Sequence, residues 1–103
     1  MARSKSSHRW LRSHFDDEFV KRSQQEGYRS RAVYKLEEID RRFRILKPRQ
    51  NVLDLGCRPG SWMQFVSEKI GPSGRVIGID RRPLDIALAP NMRVLVADIL
   101  ALN

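Results

Sequence analysis

The run Val52-Leu53-Asp54-Leu55-Gly56-Cys57-Arg58-Pro59-Gly60-Ser61-Trp62 constrains this chain more than any other stretch. A short apolar segment stops at one glycine, a second glycine follows four positions later, and Ser61 opens an apolar-periodic stretch that reaches Ile70. An apolar run bounded by glycine reads as a buried strand, and a serine before a periodic stretch reads as a helix cap. The spacing predicts a strand over 52–55 and a helix over 62–70, with Trp62, Phe65, Val66 and Ile70 turned inward. Gly56 and Gly60 let the backbone between them turn sharply and approach a ligand closely. Free amides at the start of the helix favour an anionic group.

Downstream, Gly71-Pro72-Ser73-Gly74 breaks the helix, residues 75–80 read as a second strand, and Arg81-Arg82-Pro83 turns the chain. A third strand over 92–97 ends at Asp98. The order is strand, helix, strand, connection, strand, and the strands lack strict alternation. This predicts an α/β fold: a parallel sheet of about three strands with flanking helices, the first half of a doubly wound, Rossmann-like nucleotide-binding domain.

Upstream, a short helix is expected over 16–26, with Asp16, Asp17 and Glu18 in its first turn and Gly27 as its stop. Ser30 caps a second helix reaching about residue 43, where Ala32, Leu36, Ile39 and Phe43 form an apolar stripe. Lys35 lies roughly 60° from that stripe and so borders the core; its bland role is a snorkelling lysine. Residues 47–50 form a turn. The chain divides into a basic arm over 1–13, a helical segment over 14–50, and a partial nucleotide-binding domain over 51–103.

Charge separates these parts. The 103 residues carry a formal net charge of +8. Residues 1–50 hold fourteen Lys and Arg against seven acids, and residues 51–103 hold six against five. A basic block on a near-neutral fold suggests a polyanion, most often nucleic acid, with a solvated face as the alternative. The arm carries Arg3, Lys5, Arg9 and Arg12 and no acid; Trp10 either stacks on a base or packs back with Leu11 and Phe15. No run of roughly 18 apolar residues spans a membrane, and no apolar leader is present, so a cytoplasmic setting is expected. The single cysteine, Cys57, excludes an internal disulfide and a cysteine-built zinc site, and no metal is expected. It reads as a small buried filler rather than a nucleophile, since neither His8 nor His14 is placed to activate it.

Parallel strands share their carboxyl ends, so Asp54, Asp80 and Asp98 are expected around one crevice. An acid ending the second strand accepts hydrogen bonds from ribose hydroxyls. The glycine pattern is G-x-x-x-G, not the dinucleotide G-x-G-x-x-G, and an acid stands two residues before the first glycine. That acid repels a pyrophosphate. S-adenosylmethionine has no phosphate, and it offers an ammonium, a sulfonium and a ribose diol. A methyl donor is therefore preferred; a dinucleotide and a ligand-free turn remain the alternatives.

Three runs occur in order: Arg29-Ser30-Arg31-Ala32-Val33-Tyr34-Lys35-Leu36-Glu37-Glu38-Ile39, then Leu46-Lys47-Pro48, then Asp54-Leu55-Gly56 through Pro59-Gly60-Ser61-Trp62. Together they resemble the FtsJ family of ribosomal RNA 2′-O-methyltransferases. The likeness extends over nearly the whole chain, from Ser7-His8-Arg9-Trp10-Leu11 to Asp98. It implies S-adenosylmethionine as cofactor, bound through Asp54, Gly56, Pro59, Gly60, Trp62, Asp80 and Asp98. The backbone around Gly56 and Gly60, with Trp62, would hold the methionine end; Asp80 would take the ribose and Asp98 would lie by the adenine. Lys35 matches the first lysine of the family's catalytic Lys-Asp-Lys-Glu tetrad. A ribose 2′-hydroxyl is a poor nucleophile, so attack on a sulfonium methyl needs proton removal or ammonium stabilisation. Arg9, Arg12, Arg29 and Arg31 would contact the RNA.

The implied partner is ribosomal RNA, within the large ribosomal subunit, met by a monomer. Two departures stand out. Cys57-Arg58-Pro59-Gly60-Ser61-Trp62 replaces the family's common Ala-Ala-Pro-Gly-Gly-Trp, which sets the Arg58 cation near a sulfonium. No Asp, Lys or Glu follows Asp98, so the expectation is a truncated chain without the later tetrad residues. The expected function is S-adenosylmethionine-dependent 2′-O-methylation of large-subunit ribosomal RNA. A non-catalytic RNA-binding remnant is the alternative, and the missing glycine disfavours a dinucleotide oxidoreductase.

Overall fold

The structure, a computed structural model, describes residues 17–101. The basic arm, including Arg9, Trp10 and Arg12, lies outside the described residues, as do His14, Phe15 and Asp16. Helix α1 occupies 17–26 among them. It is followed by α2 (Val33–Phe43), β1 (Asn51–Leu55), α3 (Ser61–Ile70), β2 (Arg75–Asp80), β3 (Met92–Val96) and a short 3-10 turn over Ile99–Ala101. The strands form one parallel sheet in the order β1-β2-β3. Leu53 pairs with Ile77 and Ile77 with Arg93; Leu55 pairs with Ile79 and Ile79 with Leu95. The α/β class and the parallel sheet are as expected, and β3 ends at Val96, one residue early.

Helix α3 sits tightly on one sheet face because the sequence leaves room for it. A Cβ on Gly78, in the central strand, would collide with Met63 Sδ and come within 2.7 Å of Cys57 Sγ. A Cβ on Gly74 would meet Ile70 and the Gln50 carbonyl, both at 2.8 Å. The core is Val33, Leu36, Met63, Phe65, Ile70, Val76 and Met92 with their neighbours. It draws on residues from both sides of position 50, so α2 and the sheet share one apolar interior.

Helix α2 is rotated from its expected face, whereas α3 buries Phe65, Val66 and Ile70 as expected and departs only at Trp62. In α2 the buried residues are Val33, Tyr34 and Leu36. Phe43, assigned to the stripe, is 68% exposed, because only the first half of α2 reaches the core. At about 100° per residue, Lys35 lies across the helix from that buried trio; it is exposed rather than bordering the core. In α3 the inward residues include Met63, Val66 and Ile70 at spacings of three and four, and Trp62 is turned out. Ser61 is the first helical residue, with Gly60 at the cap position. Likewise Ala32, not Ser30, stands at the cap of α2, although Ser30 Oγ accepts the Ala32 N–H at 3.1 Å.

Candidate functional site

The carboxyl edge of the sheet carries the glycine loop. Gly56 and Gly60 both take positive φ, 73° and 108°, which an L side chain rarely adopts. The loop folds back on β2: the Gly56 and Cys57 N–H groups donate to the Ile79 carbonyl at 2.7 and 3.2 Å. The connection after β2 closes over it, so a Cβ on Gly60 would come within 2.8 Å of Ile86 and 3.0 Å of Leu84. The Arg58–Pro59 peptide is cis.

Asp80 anchors this loop. Its Oδ2 accepts the Arg58 N–H at 3.0 Å and its Oδ1 accepts the Arg82 N–H at 3.1 Å. The Arg58 amide first, then the Arg82 amide, hold its carboxyl below the usual carboxylate range. Asp54 is the opposite case. It is half-buried, and its Oδ2 is a buried oxygen without a hydrogen-bond partner among the described residues. Burial first, then the nearby Asp80 charge, push its carboxyl up. A buried acceptor without a donor is costly, and this one lies at the wall of a hollow. Cys57 is buried and, mainly through burial, its thiol is pushed up to about 11. That keeps it protonated and suits the filler role expected of it.

The hollow, about 250 Å³, is lined by Asp54, Gly56, Pro59, Ser61 and Trp62 with their neighbours. A larger groove of about 730 Å³ adjoins it, since Ala32 and Trp62 line both. The Trp62 indole N–H donates to the Ala32 carbonyl at 3.0 Å, which pins the shared wall. Lys35 and Arg31 line the groove beyond that wall. Lys35 is thus exposed and next to the hollow. Asp98 follows β3; Ala97 N–H donates to the Asp80 carbonyl at 2.8 Å, so Asp80 and Asp98 share one edge. The Asp98 Oδ1 accepts the Leu100 N–H at 3.0 Å and holds the 3-10 turn.

Arg29 points elsewhere. Its N–H donates to Gln64 Oε1 at 2.8 Å and its guanidinium meets Asp85 at 3.2 Å, an exposed pair of small energetic weight.

Sequence reasoning missed the groove's floor. Arg22 bridges Glu26 at 2.7 Å and Glu37 at 3.0 Å, with its guanidinium 4.2 Å from the Tyr34 ring centre. The Tyr34 hydroxyl donates to Glu26 at 3.1 Å, and burial above all pushes it up to about 12. Only the Arg22–Glu26 spacing was visible as a helical pair; Glu37 joins from another helix. Ser30 and Ser61 hydroxyls also meet at 3.2 Å behind the hollow. Among the described residues no three His, Cys, Asp or Glu side chains gather as metal ligands, and no helix is long and apolar enough to cross a membrane.

Known proteins resemble this chain in sequence and fold. Residues 28–103 match the family description of the FtsJ-like methyltransferases. A protein of Legionella pneumophila named ribosomal RNA large subunit methyltransferase E is 52% identical over 98 residues, 95% of this chain and 47% of the relative. One of Xylella fastidiosa with the same name is 59% identical over 80 residues, 78% of this chain and 38% of the relative. A solved ribosomal RNA methyltransferase structure from Plasmodium falciparum superposes with TM-score 0.59 at 40% identity, covering 70% of this chain and 39% of that one. The chain spans about half the length of the curated relatives it matches. The match over residues 28–103 spans most of the sequence, and the chain belongs to the FtsJ-like methyltransferases.

Proposed function

We propose that this chain carries the donor-binding half of an S-adenosylmethionine-dependent methyltransferase acting on the ribose 2′-hydroxyl of large-subunit ribosomal RNA in the cytoplasm. The observation that carries this reading is Asp54: a buried carboxylate oxygen without a donor, on the wall of the hollow beside the glycine loop. The ammonium of a methionine moiety is the group that answers it. Gly56, with open space where a side chain would stand, leaves its backbone bare for the methionine end, with Pro59 and Trp62 beside it, and Gly60, packed under Leu84 and Ile86, sets the turn. Asp80 keeps lone pairs for a ribose diol while it anchors the loop, and Asp98 on the same edge stands by the adenine. Bound S-adenosylmethionine supplies an electrophilic methyl group.

Lys35 acts on the acceptor. Exposed in the groove and one tryptophan away from the hollow, its ammonium would donate a hydrogen bond to the oxygen of the incoming 2′-hydroxyl and stabilise it while the hydroxyl proton passes to solvent water. Arg31, in the same groove, faces RNA phosphates, whereas Arg29, turned to Asp85, would reach RNA only outside the groove. The names of the relatives support ribosomal RNA as the substrate.

The test incubates the chain with S-adenosylmethionine labelled in its methyl group and unmodified large-subunit RNA, followed by digestion to nucleosides. Saturable donor binding by calorimetry, retained in Lys35→Ala, is the expected result for the donor-binding half, and any label transferred should appear in 2′-O-methylnucleosides and be lost in that variant. Failure to bind donor, or label on a base, overturns the reading. RNA binding without any transfer returns the chain to the non-catalytic alternative.

A further inference from the structure

We propose that the tail of α2 is a second RNA-contact surface, in which Phe43 stacks on a base flanking the methylated nucleotide and Arg42, Arg44, Lys47 and Arg49 hold the adjoining backbone. The inference rests on the reading that the substrate is RNA, and it adds a place where that RNA is gripped away from the chemistry.

Phe43 is a large aromatic that the fold leaves 68% exposed, and Ile45 beside it is 46% exposed. Scattered exposed apolar side chains need no explanation, but this one lies in a segment, 41–49, with five basic residues and no acid. Arg41 is engaged with Glu37 at 3.2 Å. The other four basic side chains are exposed. The nearest acid in sequence, Asp40, is turned into the loop, where its Oδ1 accepts the Leu46 N–H at 2.8 Å. The Arg42 guanidinium stands 5.8 Å from the Phe43 ring centre, so a cation already sits at the aromatic. Aromatic faces flanked by cations are what base stacking on single strands uses.

The backbone supports the same reading. Arg44 and Arg49 adopt positive φ, 50° and 70°. Glycine takes such positions without strain, yet arginine holds both. Arg44 ends α2, its N–H donating to the Asp40 carbonyl at 2.7 Å, and the Arg49 N–H donates to the Ile70 carbonyl at 2.9 Å. Those bonds fix the segment between the end of α3 and the start of β1, at the amino end of the sheet. The hollow lies at the carboxyl end. Along α2, Phe43 is eight residues from Lys35, about 12 Å of helix rise. The nucleotide at Phe43 is therefore not the one at Lys35.

The test measures binding of a short fluorescein-labelled single-stranded RNA by anisotropy over a salt series. Wild type is compared with Phe43→Ala, Phe43→Trp and the double variant Arg44→Glu, Arg49→Glu, each checked for fold by circular dichroism. Loss of one stacked base predicts that Phe43→Ala weakens binding about five- to a hundredfold, and that Phe43→Trp retains it. The charge reversal should lower the slope of log affinity against log salt by about 1.4, for two phosphate contacts on a single strand. Unchanged RNA affinity and slope in folded variants overturns the proposal, as does wild type binding polyglutamate as tightly as the RNA. Calorimetry with S-adenosylmethionine keeps the two readings apart. Donor binding is expected to be equal in wild type and all three variants, and its absence throughout would count against the donor site while leaving the Phe43 result to stand.

Discussion

At the scale of single residues, Asp54 carries the proposed donor site and Gly78 shapes the packing. The Asp54→Asn change keeps the shape and removes the charge that answers an ammonium. A hydrogen bond to a charged group contributes about 1.5–3 kcal/mol, so donor affinity should fall roughly ten- to a hundredfold by calorimetry. Thermal stability should not fall, because the carboxylate oxygen has no partner to lose among the described residues. Gly78→Ala should instead destabilise the fold by about 1–3 kcal/mol in denaturant titration, since its Cβ meets Met63 and Cys57 in a filled core. The glycine loop was legible in the sequence, because loop chemistry is local; of the expected acids only Asp54 lines the hollow, while Asp80 and Asp98 stand along the same sheet edge. That Asp54 lacks a donor was not legible, since it depends on what the folded loop does with every nearby N–H.

Elements show where pattern reading turns. Strands and helices came out where the apolar runs placed them, but α2 presents a different face to the core and α3 turns Trp62 out. A stripe of Ala32, Leu36, Ile39 and Phe43 fits the period, as does the buried set Val33, Tyr34 and Leu36. Periodicity alone does not choose between them when the helix is long enough to overrun the core. Contact with α3 chooses, and it exposes Lys35 to the groove. The loop element is governed by Asp80, and its pH response follows. Two backbone amides lower the Asp80 carboxyl. Its contribution to stability is present above the ordinary aspartate value of about 4 and is lost as pH falls through the lowered value. Asp54 is raised, so its contribution is present below that ordinary value and is lost as pH rises through the raised one. In unfolding followed against pH, Asp80→Asn should flatten the acid loss, and Asp54→Asn should flatten the loss above about pH 4.

For the molecule as a whole, two surfaces matter besides the hollow. One is basic and was visible in the first half's charge excess. The other is the sheet face opposite α3, where register and alternation place Leu53, Leu55, Ile77 and Leu95 together. Leu53 and Leu55 are 57% and 54% exposed. A contiguous apolar face of this kind attracts hydrophobic dyes and neighbouring chains. The chain should therefore bind anilinonaphthalenesulfonate in its folded state, and Leu53→Lys with Leu95→Lys should reduce that fluorescence. The strand count and parallel order made the sheet legible, whereas coverage of its two faces depends on tertiary contacts no run of residues records. The central claim is that the carboxyl edge holds an adenosyl methyl donor. It is tested most directly by nuclear magnetic resonance titration of the isotope-labelled chain with S-adenosylmethionine. The account predicts saturable shifts at the Gly56, Gly60 and Trp62 amides and the Trp62 indole N–H, requiring roughly ten- to a hundredfold more donor in Asp54→Asn. Shifts confined to other residues, or saturating at the same donor concentration in that variant, would contradict it.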